Sequence, residues 1–278
     1  MKVRDNIKKC VAFAALQLAN QEYMMVGTVF FIVRNSQKKQ YLYAVTAKHV
    51  IQAIKDKGLD KLFIRVNFKN GQLGVYPTNT NEWVFHDDSS VDIAVHNFVF
   101  MEELDHLFYP ESEFVTSEFI NENELDVGDE VFIAGLFRHH HGTTKNLPII
   151  RIGNIAAMVG EKIQTKEFLM DAYLIEARSI GGLSGSPVFT NLGIIRKFKG
   201  EIRQREGNDY HNLIGLIHGH YDTIFTQIDE TNVDFIENGR VNTGIAIVTP
   251  ISKLVEIFGQ EQIKIYEDYV DKISAQQE

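Results

Sequence analysis

An all-β barrel or sandwich closed by a C-terminal helix is the fold class that this 278-residue sequence predicts. Three observations carry that prediction. Short runs rich in β-branched and aromatic residues recur along the chain with turn chemistry between them, no βαβ alternation interrupts them, and a segment of helical periodicity follows Pro250.

The runs are Val26 to Val33, Tyr41 to Thr46, Lys61 to Phe68, Asp92 to Phe98, Glu130 to Leu136, Ile149 to Ala157, Tyr173 to Ala177 and Leu213 to His218. Asn35-Ser36, Lys69-Asn70-Gly71, Asp87-Asp88-Ser89-Ser90 and Val127-Gly128-Asp129 punctuate them where hairpins or loops are needed. The apolar stretch Cys10 to Leu16 reads as the first strand. Two helices are predicted. A short one covers Val50 to Lys57, and a terminal one runs from about Ile251 to Ser274, where Leu254, Ile257, Phe258, Ile263, Ile265, Tyr266 and Val270 fall at helical intervals. Arg196 to Asp209, highly charged, and Tyr221 to Gly239, of mixed pattern, read as surface insertions. No repeat and no Pro- or Gly/Ser-rich linker divides the chain.

Charge and cysteine content narrow the function classes. Asp and Glu number 37 against 28 Lys and Arg, so the field of this chain repels a phosphate backbone, and nucleic acid is not an expected partner. Cys10 is the one cysteine, which excludes an intrachain disulfide and favours a reducing compartment, the cytoplasm. The alternative is secretion with residues 1–20 as a signal peptide, but Asp5 and Asn6 interrupt the basic start and the apolar run is short. No segment reaches the ~20 apolar residues of a membrane helix.

Three places carry chemistry. In Ala44-Val45-Thr46-Ala47-Lys48-His49-Val50 an apolar strand ends on an imidazole. In Val91-Asp92-Ile93-Ala94-Val95 a carboxylate opens an apolar strand, where partial burial demands a partner; Asp87 and Asp88 are rivals in the loop before it. In Gly181-Gly182-Leu183-Ser184-Gly185-Ser186-Pro187 small residues flank a hydroxyl, so that successive N–H groups can converge beside it on an oxyanion. The His139-His140-His141 triplet reads as a loop, because adjacent side chains diverge and no second ligand cluster has matching spacing.

Thr46-Ala47-Lys48-His49, Asp92-Ile93-Ala94-Val95 and Gly182-Leu183-Ser184-Gly185-Ser186-Pro187 resemble, in chain order, the three signatures of the trypsin/chymotrypsin-like serine peptidase superfamily. Gly27-Thr28-Val29-Phe30, Val127-Gly128-Asp129-Glu130-Val131 and Gly215-Leu216-Ile217-His218-Gly219 extend the resemblance over most of the chain. It implies two six-stranded antiparallel β-barrels in one peptidase domain of residues 1–278. The N-terminal barrel would span about 8–115, the C-terminal barrel 116–250 and the helix 251–278. It further implies a serine endopeptidase in which Ser184 is nucleophile, His49 general base and Asp92 its orienting carboxylate, with the Gly182 and Ser184 N–H groups as oxyanion hole. Arg178, His218 and Gly219 would lie at the specificity pocket. Leu183 stands where zymogen-type relatives have an Asp, so activation by N-terminal cleavage is not expected, and the style is that of the cysteine-poor HtrA or glutamyl-endopeptidase groups. The expected partners are a protein or peptide substrate and a regulatory protein, with no cofactor and no metal. The alternatives are a catalytically silent or partner-activated binding module of the same fold and an esterase using the same triad.

Overall fold

The structure is a computed structural model that describes residues 2–275 apart from 37–38, 100, 138–139, 166–167, 178–182, 194, 199–200, 205–209 and 227–237. A short helix α1 (Asp5–Lys9) leads into β1 (Val11–Gln17), β2 (Tyr23–Ser36) and β3 (Lys39–Thr46); helix α2 (Lys48–Lys55) follows β3 at once. With β4 (Lys61–Asn67), β5 (Leu73–Asn79), β6 (Val84–Phe85) and β7 (Ala94–Asn97) these strands make a sheet in the order β5-β4-β1-β2-β3-β7-β6. The short β8 (Tyr109–Pro110) lies parallel to β2 as the eighth strand.

After α3 (Ser117–Asn123) the second half builds a closed barrel from β9 (Glu130–Leu136), β10 (Pro148–Ala157), β13 (Tyr173–Glu176), β14 (Pro187–Thr190), β17 (Leu213–Thr226) and β18 (Asn238–Pro250), ordered β10-β13-β18-β17-β14-β9. Two hairpins lie apart from it, β11 (Ile163–Gln164) with β12 (Leu169–Met170) and β15 (Ile195–Phe198) with β16 (Glu201–Gln204). Helices α4 (Ser252–Phe258) and α5 (Glu261–Ala275) end the chain.

The mostly-β class and the C-terminal helix stand as predicted, and the second barrel closes with six strands. The first half differs: its strands form an eight-stranded open sheet. Its two edges do not pair, because β6 is two residues long and β5 carries Pro77, which has no N–H to give to another strand. The terminal helix is broken at Gly259 and Gln260 into two pieces. The segment Tyr221 to Gly239 is not wholly irregular, since its ends continue β17 and β18 as a long hairpin; residues 227–237 lie outside the described part. Part of Arg196 to Asp209 is likewise the β15–β16 hairpin.

The run Val11 to Leu16 is buried at every position because β1 lies between β2 and β4 and is covered on both faces. On β9 the alternation of a strand separates two cores. Val131 and Ile133 point into the closed barrel with Ile155, Ile175, Val188, Ile217 and Val248, whereas Phe132, Ala134 and Leu136 point at the first sheet. One continuous apolar cluster therefore joins both halves and takes in Leu254, Ile257 and Phe258 of α4.

Helix α5 returns to the first sheet through charge. Glu267 accepts hydrogen bonds from the Tyr43 hydroxyl at 2.7 Å and from Arg34 Nη1 at 2.8 Å, while Arg34 Nε also meets Glu111 at 3.1 Å. Asp271 accepts from the Tyr41 hydroxyl at 2.6 Å. On the other side, buried His106 joins two segments: its Nδ1–H donates to the Lys9 carbonyl at 3.0 Å and its Nε2 accepts from the Asn67 N–H at 2.9 Å.

Two predictions follow from this packing. Glu267→Ala leaves Tyr43 and half of the Arg34 fork without an acceptor; it should cost roughly 2 kcal/mol and lower the melting temperature by about 4 °C by calorimetry. Burial lowers the His106 pKa to about 4, only partly offset by the Lys9 carbonyl and Asp105. The neutral form is therefore favoured in the fold, and its contribution is complete above the unfolded value of ~6.5 and fades as pH falls towards 4. Urea unfolding at pH 7.5 and 4.5 should show a pH-dependent loss of stability that is smaller in His106→Gln; an equal loss in both chains would contradict this.

Candidate functional site

His49 sits in the first turn of α2 rather than at the end of a strand. Its helix begins at Ala47, which has no side-chain group to cap the turn, so the N–H of His49 must find an acceptor elsewhere. Asp92 supplies it: Oδ1 accepts the His49 N–H at 2.8 Å, and Oδ2 lies 2.7 Å from the Nδ1 of the same residue. A single carboxylate, 43 positions later in the chain, thus serves as remote helix cap and as imidazole partner.

Asp92 occupies the irregular stretch just before β7, flanked by Val91 and Ile93, both buried in the first core. The turn before it is built by Asp88, whose Oδ1 accepts from the N–H and hydroxyl of Ser90. Asp88 is thereby a turn former. The Asp92 side chain is 1 % exposed. Burial by itself raises its pKa, but hydrogen bonds from His218 and His49, with the charge they carry when protonated, more than offset this and hold it well below the usual carboxylate range.

Its third donor comes from the other half of the molecule. His218 Nδ1 lies 2.5 Å from Asp92 Oδ2. On β17 the pairing with β18 slips between Ile217 and Gly219, so His218 is the extra residue of a bulge, and the bulge turns its ring across the gap between the halves. The two imidazoles meet edge to face with centroids 5.5 Å apart, and Phe168 lies 6.0 Å from the His218 ring. The resemblance places His218 at a specificity pocket and does not foretell its short hydrogen bond to Asp92; the trace of it in the chain is an imidazole ending the apolar run from Leu213. Gly219 follows on the same strand, and a Cβ built there would meet no described atom within 4 Å.

Ser184 lies in a tight turn closed by the Ser186 N–H donating to the Leu183 carbonyl at 2.8 Å. The third residue of that turn, Gly185, has φ +82°, as a type II turn requires. A Cβ at Gly185 would stand 2.4 Å from both the Thr28 carbonyl and Thr46 Oγ1, so glycine is demanded by space as well as by conformation. Three further bonds hold the turn. The Thr28 N–H donates to the Ser184 carbonyl at 2.9 Å, the Gly185 N–H to Ile217, and the Ile217 N–H to Ser186. Thr46, three residues before His49, donates to the Thr28 carbonyl at 2.7 Å. The half-buried Ser184 is therefore tied to β2, whose Thr28 bonds the end of β3 just before the helix of His49, and to the strand that carries His218.

Gly182 and Arg178 lie outside the described residues, as does His139. The loop around His141 is docked by Arg65, which donates to the carbonyls of His141 and Gly142 at 2.8 and 2.7 Å.

Gly185→Ala should break the Ser184 turn away from Thr28 and cost more than about 3 kcal/mol, through forced φ and overlap together; urea unfolding measures it.

No protein-family profile matches the chain and no curated protein matches it. Among solved structures it is similar to the MamO protease domain of Magnetospirillum magneticum, with a TM-score of 0.53 and 14% identity over 90% of this chain and 96% of that one. The Rv3671c protease of M. tuberculosis aligns with a TM-score of 0.44 in its active form, at 15% identity over 91% of this chain and 81% of that one. Its inactive form also gives 0.44, at 14% identity over 91% and 87%. The likeness to the MamO protease domain, together with the closed six-stranded barrel, shows that this chain has the trypsin-like serine protease fold.

Proposed function

We propose that this protein is a serine endopeptidase that cleaves peptide bonds through Ser184, His49 and Asp92. One observation carries the reading: a buried carboxylate takes both the main-chain N–H and the ring Nδ1 of His49. That pairing favours the imidazole tautomer with its proton on Nδ1, which makes Nε2 the basic nitrogen. The turn anchored to Thr28 and Ile217 supports Ser184 as the hydroxyl that such a base would serve.

In the proposed reaction Ser184 Oγ attacks the carbonyl carbon of the substrate while His49 Nε2 takes its proton, and the carbonyl electron pair moves to oxygen. Asp92 stabilises the imidazolium through the existing Nδ1–H bond. Collapse of the tetrahedral intermediate expels the amine, which leaves with the proton from His49. Water, deprotonated by the same nitrogen, then attacks the acyl carbon, and His49 gives the proton to Ser184 Oγ as the acyl group leaves as a carboxylic acid. The backbone N–H groups of Gly182 and Ser184 are the proposed donors to the oxyanion, each worth roughly 10²-fold or more in rate.

The test is labelling of the purified protein with a fluorophosphonate, with the adduct located by mass spectrometry. A single adduct on Ser184 is expected, absent in Ser184→Ala and slowed by about four orders of magnitude in His49→Ala and Asp92→Asn. Labelling that survives His49→Ala at its original rate, or no labelling of the folded parent, counts against the reading and favours a binding module of the same fold.

A further inference from the structure

An orienting carboxylate needs one imidazole, yet Asp92 Oδ2 faces two. His49 Nδ1 and His218 Nδ1 lie 2.7 and 2.5 Å from the same oxygen, and among the described residues these three side chains bring metal-capable atoms within 4.8 Å of one another. We propose that His49, Asp92 and His218 form a binding site for a transition-metal ion of the zinc(II) type, and that an ion held there keeps the site in an inactive state.

The ligand set suits the ion. Two imidazole nitrogens and one carboxylate oxygen are donors that zinc accepts, and three protein ligands leave a fourth position for solvent. The other carboxylate oxygen, Oδ1, is held by the His49 N–H at 2.8 Å, which fixes the carboxylate so that Oδ2 presents itself to both rings. Charge also fits: the carboxylate is 1 % exposed and supplies the anionic ligand, while the rings, at 38 % and 17 %, give an approach from solvent. Zinc–ligand distances of about 2.05 Å in a tetrahedron set ligand atoms roughly 3.3 Å apart, so each ring nitrogen must draw back from Asp92 Oδ2 by roughly 0.7 Å. Rotation of the two partly exposed rings supplies that movement without disturbing Asp92.

The inhibitory consequence follows from where the protons go. Each neutral imidazole that binds through Nδ1 breaks its Nδ1–H bond, forms the bond to the metal and carries its proton on Nε2 instead. For His49 this protonates the nitrogen that, on the reading above, must take the proton of Ser184. It also takes away the Nδ1–H···Oδ2 bond that would support the imidazolium. This regulation rests on the proposed role of Ser184 and His49; the metal site itself does not.

Binding is therefore measured where chemistry is silent, by calorimetric titration of zinc chloride into the full-length Ser184→Ala chain. One site of micromolar affinity or tighter is expected, weakened about 30-fold or more by His218→Asn and unchanged by His220→Asn. Affinity that survives His218→Asn, or no binding, overturns the proposal. Should His218→Asn fail to fold, carbethoxylation of the Ser184→Ala chain reads the same contact. Zinc should protect both His49 and His218 from diethylpyrocarbonate, and modification of both at undiminished rates overturns the site. In the wild-type chain zinc should slow fluorophosphonate labelling and a chelator should restore it; labelling unaffected by bound zinc overturns the inhibitory half. A chain that binds zinc through His218 but never labels would instead sink the protease reading and leave the site standing.

Discussion

A carboxylate taken out of water is tolerated only when its lone pairs are met, and Asp92 meets this condition by drawing donors from both halves of the molecule. The His49 main chain and ring come from α2 at the end of the first sheet, and the His218 ring comes from β17 of the closed barrel. Truncating either histidine would leave the buried carboxylate short of a donor. The site and the junction of the two halves are thus one structure, and what holds the candidate base in place also holds the barrel against the sheet.

The surroundings extend the same logic. Thr28 on β2 binds the Ser184 carbonyl with its N–H, gives its own carbonyl to Thr46, and gives its hydroxyl oxygen to Ser186 at 3.0 Å. Those contacts require two backbones to approach so closely that Gly185 has no room for a side chain. The Ser184 turn is therefore positioned by main-chain hydrogen bonds to the strand residues Thr28 and Ile217, which leave it little freedom to drift.

Away from the site the halves share a core through β9, whose two faces serve two clusters, and through the C-terminal helices. Arg34 is the pivot on that side, lying over the Phe258 ring with its centroid 5.1 Å away while its guanidinium meets Glu111 and Glu267. A helix from the end of the chain in this way covers the strands β2 and β3 that lead towards Thr46 and His49, and its burial is partly electrostatic, which an apolar pattern alone does not foretell.

Local chemistry determined a good part of this protein from sequence alone. Period-two and continuous apolar runs located nine of the eighteen described strands, Gly185 and Pro187 marked the Ser184 turn, and the order His49, Asp92, Ser184 was legible because each lies in a short segment with its own signature. What only the tertiary structure decided is what depends on contacts between distant segments. Whether the first sheet closes turns on edge strands too short or too proline-interrupted to pair. Glu267 finds Arg34 across more than two hundred positions. His218 reaches Asp92 because a bulge in β17 re-aims one ring, and register against β18 cannot be read from β17 itself. Side-chain periodicity reports which face of an element is buried; it carries no information about which partner that face will meet.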